Sequence, residues 1–170
     1  RMRRLERLVV ALLMCVACGA MAQLSDQDLD WKETPVPPPP AIRTSGLLPL
    51  DMGRDTALKF GVDPASLVIS KDGVVRYVMV ASSASGAMNA MYEGIRCATG
   101  EFKTYARATT AGQWNAVQDP QWRSLYDNGL SRHALALANQ GACIGRTTAR
   151  SVGAIVKALK PSQQPQHRYY

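Results

Sequence analysis

The chain has 170 residues, of which 46% are hydrophobic, which is enough for one domain with a hydrophobic core. Its 20 basic and 13 acidic side chains give a net charge of +7. It has only two histidines, His133 and His167, with no HExxH motif and no Cys/His cluster at the spacing of zinc ligands. This composition excludes the common zinc sites, and we predict no metal and no cofactor.

The first 22 residues have the three parts of a secretory signal peptide. A basic start is followed by the uncharged apolar run Leu8–Cys18, and then by small residues that end at Ala22. We therefore predict cleavage between Ala22 and Gln23, export to the periplasm or cell envelope, and no transmembrane segment in the mature chain. The alternatives are an uncleaved membrane anchor and a lipoprotein attached through Cys18.

The mature chain divides by composition into a linker, a domain and a tail. Residues 23–46 are acidic and proline-rich, so we predict a flexible linker that includes polyproline II at Pro35–Pro40. A globular domain is predicted at 47–160 and a disordered tail at 161–170. Residues 64–170 carry twelve basic and five acidic side chains, which favours an anionic partner from the envelope. Nucleic acid is not expected, and an ordinary solvated surface would explain the same charges.

β-Branched runs alternate with turns in the centre of the chain. Asp72-Gly73 separates two such runs, which predicts a hairpin with a tight primed turn. Gly94 within a later run indicates a bulge, and Leu47–Leu50 favours an edge strand because Pro49 has no N–H to donate. We predict an α+β fold whose antiparallel sheet has about five strands, at Ser66–Ser70, Val74–Ser82, Met91–Cys97, Glu101–Ala108 and Gln113–Val117.

Two C-terminal helices are predicted to pack on one face of this sheet. Leu130–Gln140 places apolar residues on one side and is followed by Gly141, which favours a helix end. His133 falls on the polar side of this helix. Val152–Leu159 has the i, i+3, i+4, i+7 stripe of an amphipathic helix. A short helical turn is predicted at Trp122–Tyr126.

Two cysteines, Cys97 and Cys143, remain after removal of the signal peptide. Because the periplasm is oxidising, we predict a structural disulfide between them, with two free thiols as the alternative. Cys15 and Cys18 form a CxxC pair, but they lie within the apolar run of the signal peptide, so we assign the pair no redox or metal role.

Aromatic and charged residues are interleaved along the predicted strands. Arg76 is the one charged residue of the run Val74–Ala81, and both faces of that strand are largely apolar, so the side chain is expected to reach the rim of the sheet. Packing within the core would explain the aromatic residues equally well. The candidate ligand surface consists of Arg76, Tyr92, Glu93, Arg96 and Trp114.

No complete catalytic motif is present. Ala84-Ser85-Gly86 lacks the first glycine of a nucleophile elbow, and no phosphate-binding Gly-Lys-Ser/Thr occurs. The remaining enzyme hypothesis is a small periplasmic hydrolase or carbohydrate-acting enzyme that uses Glu93, Glu101 or His133. A pocket that brings two of these side chains within hydrogen-bond reach would favour this hypothesis.

A set of short segments between Leu47 and Gly145 carries a family resemblance. The segments include Asp72–Tyr77, Tyr92–Cys97 and Arg132–Ala134, together with several single residues such as Trp114 and Cys143. They resemble the cryptic neisserial protein-like family of exported proteobacterial proteins. The resemblance implies an exported envelope domain and supplies no catalytic residues. We therefore predict a non-enzymatic binding or structural module of the envelope, with the hydrolase as the alternative.

Overall fold

The computed structural model describes residues 30–53, 56–108, 112–127, 129 and 132–161. The chain divides into two compact units, Arg1–Lys32 and Glu33–Tyr170, and only residues 30–32 of the first unit are described. The predicted signal peptide and the predicted tail after residue 161 lie outside the described residues. Every helix and strand named here belongs to the second unit.

An antiparallel sheet forms the centre of this unit, and it has eight strands within the described residues. Its main path follows the order β1-β2-β4-β5-β6-β7, while β3 pairs with β4 and β8 pairs with β6. The strands are β1 (Leu48–Pro49), β2 (Lys59–Val62), β3 (Val68–Ile69), β4 (Val74–Ser82), β5 (Met88–Arg96), β6 (Glu101–Ala108), β7 (Trp114–Ala116) and β8 (Arg123–Ser124).

The helices follow the sheet in the sequence. Helix α1 (Arg132–Leu137) continues into one π-helical turn (Ala138–Ala142), and helix α2 (Val152–Leu159) begins at Ser151, whose side chain accepts a hydrogen bond from the N–H of Ala154. Between them, β9 (Cys143–Ile144) and β10 (Thr147–Thr148) form a small separate sheet. A 3₁₀ turn (Pro64–Ser66) precedes β3.

The predicted antiparallel α+β class is confirmed, but five strands are too few. Three strands exceed the five. β1 lies at the edge of the sheet, where Leu47–Leu50 predicts an edge strand, whereas β2 and β8 have four and two residues and therefore carry little local sequence pattern. The predicted helical turn at Trp122–Tyr126 is wrong, because Arg123–Ser124 instead pairs with the start of β6. These backbone hydrogen bonds come from a segment distant in the sequence, which local side-chain spacing does not reveal.

The predicted hairpin is present, but its turn is of another type. The N–H of Gly73 donates to the carbonyl of Ser70 at 2.9 Å, and the N–H of Ser70 donates to the carbonyl of Val74 at 3.0 Å. Gly73 has φ of 80°, whereas Asp72 keeps a negative φ. A primed two-residue turn of type I′ would need positive φ at both central residues, which Asp72 does not have. The turn is instead a three-residue loop with a glycine bulge at Gly73.

The two faces of the sheet are covered by different parts of the chain. One face, which we call the helix face, packs its apolar side chains against α1 and α2. The other face, which we call the opposite face, is centred on Val78, Val80 and Tyr92, and Ile42 and Leu47 pack against it.

The N-terminal part of the second unit is held to the sheet. The indole N–H of Trp114 donates to the carbonyl of Pro40 at 2.7 Å, and the carboxylate of Glu33 contacts side chains of the sheet. Residues 33–42 therefore make specific contacts with the sheet, whereas the sequence predicts a flexible linker at 23–46. The difference arises because polyproline II segments make no internal hydrogen bonds, and their partners come from distant strands.

A β-bulge lies in the middle of the sheet, as the glycine in β5 predicts. Tyr92 pairs with Ala106 and Glu93 pairs with Thr104, so Tyr105 is the additional residue on β6. A Cβ atom on Gly94 would lie 2.6 Å from the hydroxyl oxygen of Tyr105. Glycine at this position therefore makes room for the Tyr105 side chain on the opposite face.

The predicted disulfide between Cys97 and Cys143 is confirmed. The two Cα atoms are 5.7 Å apart, within the usual range for a disulfide. Cys97 directly follows β5 and is buried, while Cys143 begins β9 directly after the π-helical turn. The bond therefore connects the sheet to the segment that follows α1.

Candidate functional site

A buried carboxylate lies at the centre of the helix face. Glu93 is 0% exposed, and its Oε2 atom accepts hydrogen bonds from the Tyr77 hydroxyl at 3.0 Å and from His133 Nε2 at 2.8 Å. Its Oε1 atom accepts a hydrogen bond from the Thr104 hydroxyl at 2.9 Å. Tyr77 and Thr104 are the cross-strand neighbours of Glu93 on β4 and β6, so the sheet register itself assembles the network.

Glu93 is ionised in this environment. Burial alone would raise its pKa, but the charge of His133 and the hydrogen bonds from His133, Thr104 and Tyr77 outweigh burial and hold the pKa below its ordinary value. Burial and the adjacent Glu93 carboxylate raise the pKa of Tyr77, so the phenol stays protonated and donates a hydrogen bond to Glu93. Because an ionised carboxylate only accepts, Nε2 of His133 must carry a hydrogen.

The position of His133 corrects the sequence-based expectation of a polar surface residue. It is 8% exposed, its ring stacks parallel to Phe60 at a centroid distance of 5.6 Å, and the ring of Phe102 meets it edge-on at 6.2 Å. The helical pattern places His133 correctly on α1 but does not show that Glu93, 40 residues earlier, is opposite it. The pair and its aromatic neighbours are parts of three separate strands and one helix.

A cavity of about 390 Å³ opens beside His133, at the part of the helix face near the start of α1. Phe60, Leu58 and Met91 supply apolar parts of its lining, and Ala81, Asn89, Ala90, Arg107, Ala108, Asn115, Gly129 and His133 also contribute. A second cavity of about 230 Å³ shares Leu58, Phe60, Gly129 and His133 with the first one. We call the larger one the Arg107 cavity.

Three polar side chains of the Arg107 cavity have no partner within the residues that the structure describes. Arg107, Asn89 and Asn115 are exposed, and their side chains make no hydrogen bond or ion pair within the described part of the chain. Arg107 pairs across the sheet with Met91 on β5 and Asn115 on β7, which puts all three side chains on the helix face. A guanidinium that has no partner among the described residues and lies beside amides and apolar groups favours an anionic ligand.

A second buried network occupies the opposite face. Arg76 Nη2 lies 3.0 Å from Asp72 Oδ2 and 3.3 Å from Glu33 Oε1, and Nη1 donates to the hydroxyl of Ser70. Glu33 also accepts hydrogen bonds from Lys103 at 2.7 Å and from the hydroxyl of Tyr105 at 2.6 Å. This network holds the N-terminal segment against the sheet.

Arg76 is therefore not at the rim of the sheet, as expected from the sequence, but 1% exposed. Its charge is tolerated there because Asp72 and Glu33 approach it from two different segments. Burial raises the pKa of Asp72, but hydrogen bonds from Arg76, Thr34 and Val74 outweigh it and lower the pKa to about 2. The pKa of Glu33 is also lowered, since Lys103, Tyr105 and Arg76 outweigh the effect of its burial.

Stability should fall steeply in acid because of these carboxylates. Asp72 titrates near 3.8 when unfolded and near 2 when folded, so its contribution is complete above about pH 4 and is lost as pH falls toward 2. Glu33 and Glu93 act in the same direction. We expect urea unfolding midpoints that decline between pH 4 and pH 2, and a shallower decline for Asp72→Asn. Asp119→Asn, an exposed control, should keep the wild-type dependence, and equal slopes for both variants would contradict the assignment.

The five residues of the predicted ligand surface do not form one surface. Arg76 and Tyr92 are buried on the opposite face, whereas Glu93 is buried on the helix face. Arg96 lies 4.0 Å from Glu101 in an ion pair at the end of β5. Trp114 packs against Tyr92 at a centroid distance of 6.5 Å. Their main structural role is therefore packing and ion pairing within the sheet.

Of the three residues in the enzyme hypothesis, the structure brings two together. Glu93 contacts His133. Glu101 instead pairs across the strands with Arg96. Arg96 is three positions after Glu93 on β5, so Arg96 and its partner Glu101 lie on the opposite face from Glu93. A glycosidase-type pair of carboxylates is thus not formed by Glu93 and Glu101. Sequence reasoning missed Arg107, Asn89 and Asn115, because nothing local marks an exposed strand residue as part of a cavity.

Neither a metal site nor a membrane span is present within the described ranges. No group of three or more His, Cys, Asp or Glu side chains in those ranges is arranged to hold a metal ion. None of the helices in the described part of the chain is both long and apolar enough to span a membrane.

A family model described as the CNP1-like family matches residues 26–160, which is most of the chain. The chain belongs to the CNP1-like family. This is the cryptic neisserial protein-like family that the sequence segments resemble. Comparison with curated proteins and with solved structures gave no match.

Two segments that carry the family resemblance meet in the buried network of the helix face. Glu93 belongs to Tyr92–Cys97, and His133 belongs to Arg132–Ala134. The hydrogen bond between Glu93 and His133 joins these two segments directly. The match begins before Glu33 and therefore also includes the carboxylate that holds the N-terminal segment to the opposite face.

Proposed function

We propose that this CNP1-like protein is an exported envelope protein that binds a small amphiphilic anion in the Arg107 cavity. The observation on which this proposal rests is the guanidinium of Arg107, which has no partner among the described residues and lies in a cavity of about 390 Å³ whose other walls include Phe60, Leu58 and Met91. That volume is within the range of small-molecule sites. The apolar walls would contact a short hydrocarbon part of the ligand, and Arg107 would contact its acidic group.

The charge of the cavity supports an anion over a cation. Arg107 is the one Lys, Arg, Asp or Glu side chain among the described residues that line it, and Glu93 is fully buried behind His133. Arg132 lines the adjoining smaller cavity and adds a second positive charge to this end of the sheet. Guanidinium groups bind carboxylates and phosphates through paired hydrogen bonds, and the neighbouring amides of Asn89 and Asn115 can supply additional donors.

The proposed location in the envelope is supported by the leader pattern of residues 1–22 and by the disulfide. A disulfide that closes a long loop is stable in an oxidising compartment. The intact mass of the protein purified from a periplasmic fraction should correspond to a chain that starts at Gln23. A mass that includes Leu8–Cys18 would refute cleavage, and a diacylglyceryl group on Cys18 would show a lipoprotein instead.

Binding can be tested with octanoate as the probe, using octanol as the uncharged control. We expect saturable octanoate binding by isothermal titration calorimetry and at least tenfold weaker binding by Arg107→Gln, because a charge-assisted hydrogen-bonded pair is lost. Arg123→Gln is the matched control, since Arg123 is an exposed arginine on β8 that does not line the cavity.

Three outcomes are informative. Equal weakening by Arg107→Gln and Arg123→Gln would indicate a general charge effect and would contradict the site. Octanol that binds as tightly as octanoate would show that the acidic group is not recognised. Absence of octanoate binding to wild type, with the fold intact by circular dichroism, would refute an amphiphilic carboxylate as ligand.

A further inference from the structure

We infer that Glu93 and His133 form a general-base pair that activates water for hydrolysis of an anionic ester bound in the Arg107 cavity. This inference rests on the proposed function, because Arg107 would hold the acidic end of the same ligand. His133 is the candidate catalytic residue, since its ring lines the cavity, and Glu93 is a positioning residue behind it. The inference adds a reaction to a site proposed above for binding alone.

The orientation of the imidazole ring is fixed by its neighbours. Nε2 donates to Glu93 Oε2 at 2.8 Å, and the stacked ring of Phe60 and the edge-on ring of Phe102 restrict rotation about the side chain. Nδ1 makes no hydrogen bond within the described residues. In the neutral ring, the hydrogen on Nε2 leaves the lone pair on Nδ1, which is the atom that accepts a proton in general-base catalysis.

A purely structural explanation has to account for an ionised carboxylate at 0% exposure. Burying a charged group is expensive unless it is paired and hydrogen-bonded, and an apolar replacement of similar volume is often equally stable. Glu93 has three hydrogen-bond donors arranged around it, and one of them is a ring that lines two cavities. Buried titratable pairs at the wall of a cavity are typical of functional sites.

The nucleophile is water, because the described residues that line the Arg107 cavity include no serine, threonine or cysteine. In the reaction, His133 Nδ1 removes a proton from water while the water oxygen forms a bond to the ester carbonyl carbon. The tetrahedral intermediate then breaks its bond to the ester oxygen, and the imidazolium returns the proton to the departing alcohol. One ester and one water give one carboxylic acid and one alcohol, and Glu93 stays ionised to stabilise the imidazolium throughout.

The substrates for the test are mono-4-nitrophenyl adipate, which carries a free carboxylate, and neutral 4-nitrophenyl hexanoate. We expect wild type to hydrolyse the adipate ester with saturation kinetics, and octanoate to inhibit competitively. His133→Gln should lower kcat by at least about 100-fold, the usual contribution of a general base, since its amide can still donate to Glu93. Arg107→Gln should raise KM for the adipate ester by a larger factor than KM for the hexanoate ester, which has no carboxylate for the guanidinium to bind.

The role of Glu93 is separated from a structural one by a split between kcat and KM. In Glu93→Gln, kcat for the adipate ester should fall while KM stays close to that of wild type, because the imidazolium loses its negative neighbour but Arg107 still holds the acidic end of the ester. Glu101→Gln is the matched carboxylate-to-amide control on the other face of the sheet and should leave both kcat and KM unchanged.

Wild type that binds octanoate but hydrolyses neither ester faster than the heat-denatured protein would overturn this inference and leave the proposed binding function intact. Hydrolysis that persists in folded His133→Gln would also overturn it. Should His133→Gln fail to fold, Glu93→Gln decides: a kcat equal to that of wild type in the folded Glu93→Gln variant would overturn the inference.

Discussion

Arg76→Gln should be among the most destabilising single substitutions in this protein, lowering the free energy of unfolding by about 3–5 kcal/mol. Arg76 is 1% exposed and is the shared cation of Asp72 and Glu33. Glutamine cannot neutralise Asp72, whose carboxylate is 1% exposed, and it leaves Glu33 with the weaker support of Lys103, so the variant keeps negative charge in a desolvated site. Urea denaturation at pH 7 would measure the loss.

Arg123→Gln serves as the control for this prediction. Arg123 is also an arginine of the sheet, but its side chain is exposed, so its loss should change stability by no more than about 0.5 kcal/mol. Lowering the pH should narrow the difference between Arg76→Gln and wild type, because protonation of Asp72 and Glu33 removes the charges that Arg76 neutralises. If Arg76→Gln lowers the free energy of unfolding by less than about 1 kcal/mol at pH 7, water solvates the carboxylates around Arg76 and the prediction is wrong.

Two long strands have the bounds that the sequence predicts, and both carry strong local signals. They are β4 (Val74–Ser82) and β6 (Glu101–Ala108). In β4 both faces are apolar, as expected for a central strand. Helix α2 was equally predictable, because its apolar stripe faces the sheet and its N-terminal serine is a good cap. The disulfide followed from counting cysteines outside the leader.

What the sequence could not predict depends on residues far apart along the chain. Whether Arg76 is buried or at a rim is decided by Glu33, 43 residues earlier, and whether His133 is structural or exposed is decided by Glu93, 40 residues earlier. Neither partner is recognisable until the sheet register is known. The same holds for Arg107, whose importance depends on the cavity formed by β2, β5, β7 and the start of α1.

The three central strands therefore carry two polar networks, one on each face. Tyr77 and Glu93 belong to the network of the helix face. Arg76, which directly precedes Tyr77 on β4, and Tyr105, the bulged residue of β6, belong to the network of the opposite face. The bulge at Tyr105 lets its hydroxyl reach Glu33 over Gly94. The family-like segments Asp72–Tyr77 and Tyr92–Cys97 contribute to both networks, which is why they look like an exposed ligand surface when only the sequence is considered.

Loss of the disulfide between Cys97 and Cys143 should lower stability by about 4 kcal/mol, a large part of the 5–15 kcal/mol typical of a domain. The bond closes a loop with a sequence separation of 46 residues, and its main effect is to reduce the conformational entropy of the unfolded chain. The loop includes all of β6, β7, β8 and α1. The double variant Cys97→Ala/Cys143→Ala removes the bond without leaving a thiol, and urea denaturation with and without reductant would measure the effect.

The comparison between variant and reductant distinguishes loop entropy from packing. Reduced wild type and the double variant should lose similar amounts of stability, because both release the same loop, and reductant should not change the double variant. Octanoate affinity of the folded fraction should be unchanged, since neither cysteine lines the Arg107 cavity. If reductant leaves wild type as stable as before, the bond does not restrain the unfolded chain; if octanoate affinity falls together with stability, the bond also positions α1 and, with it, His133.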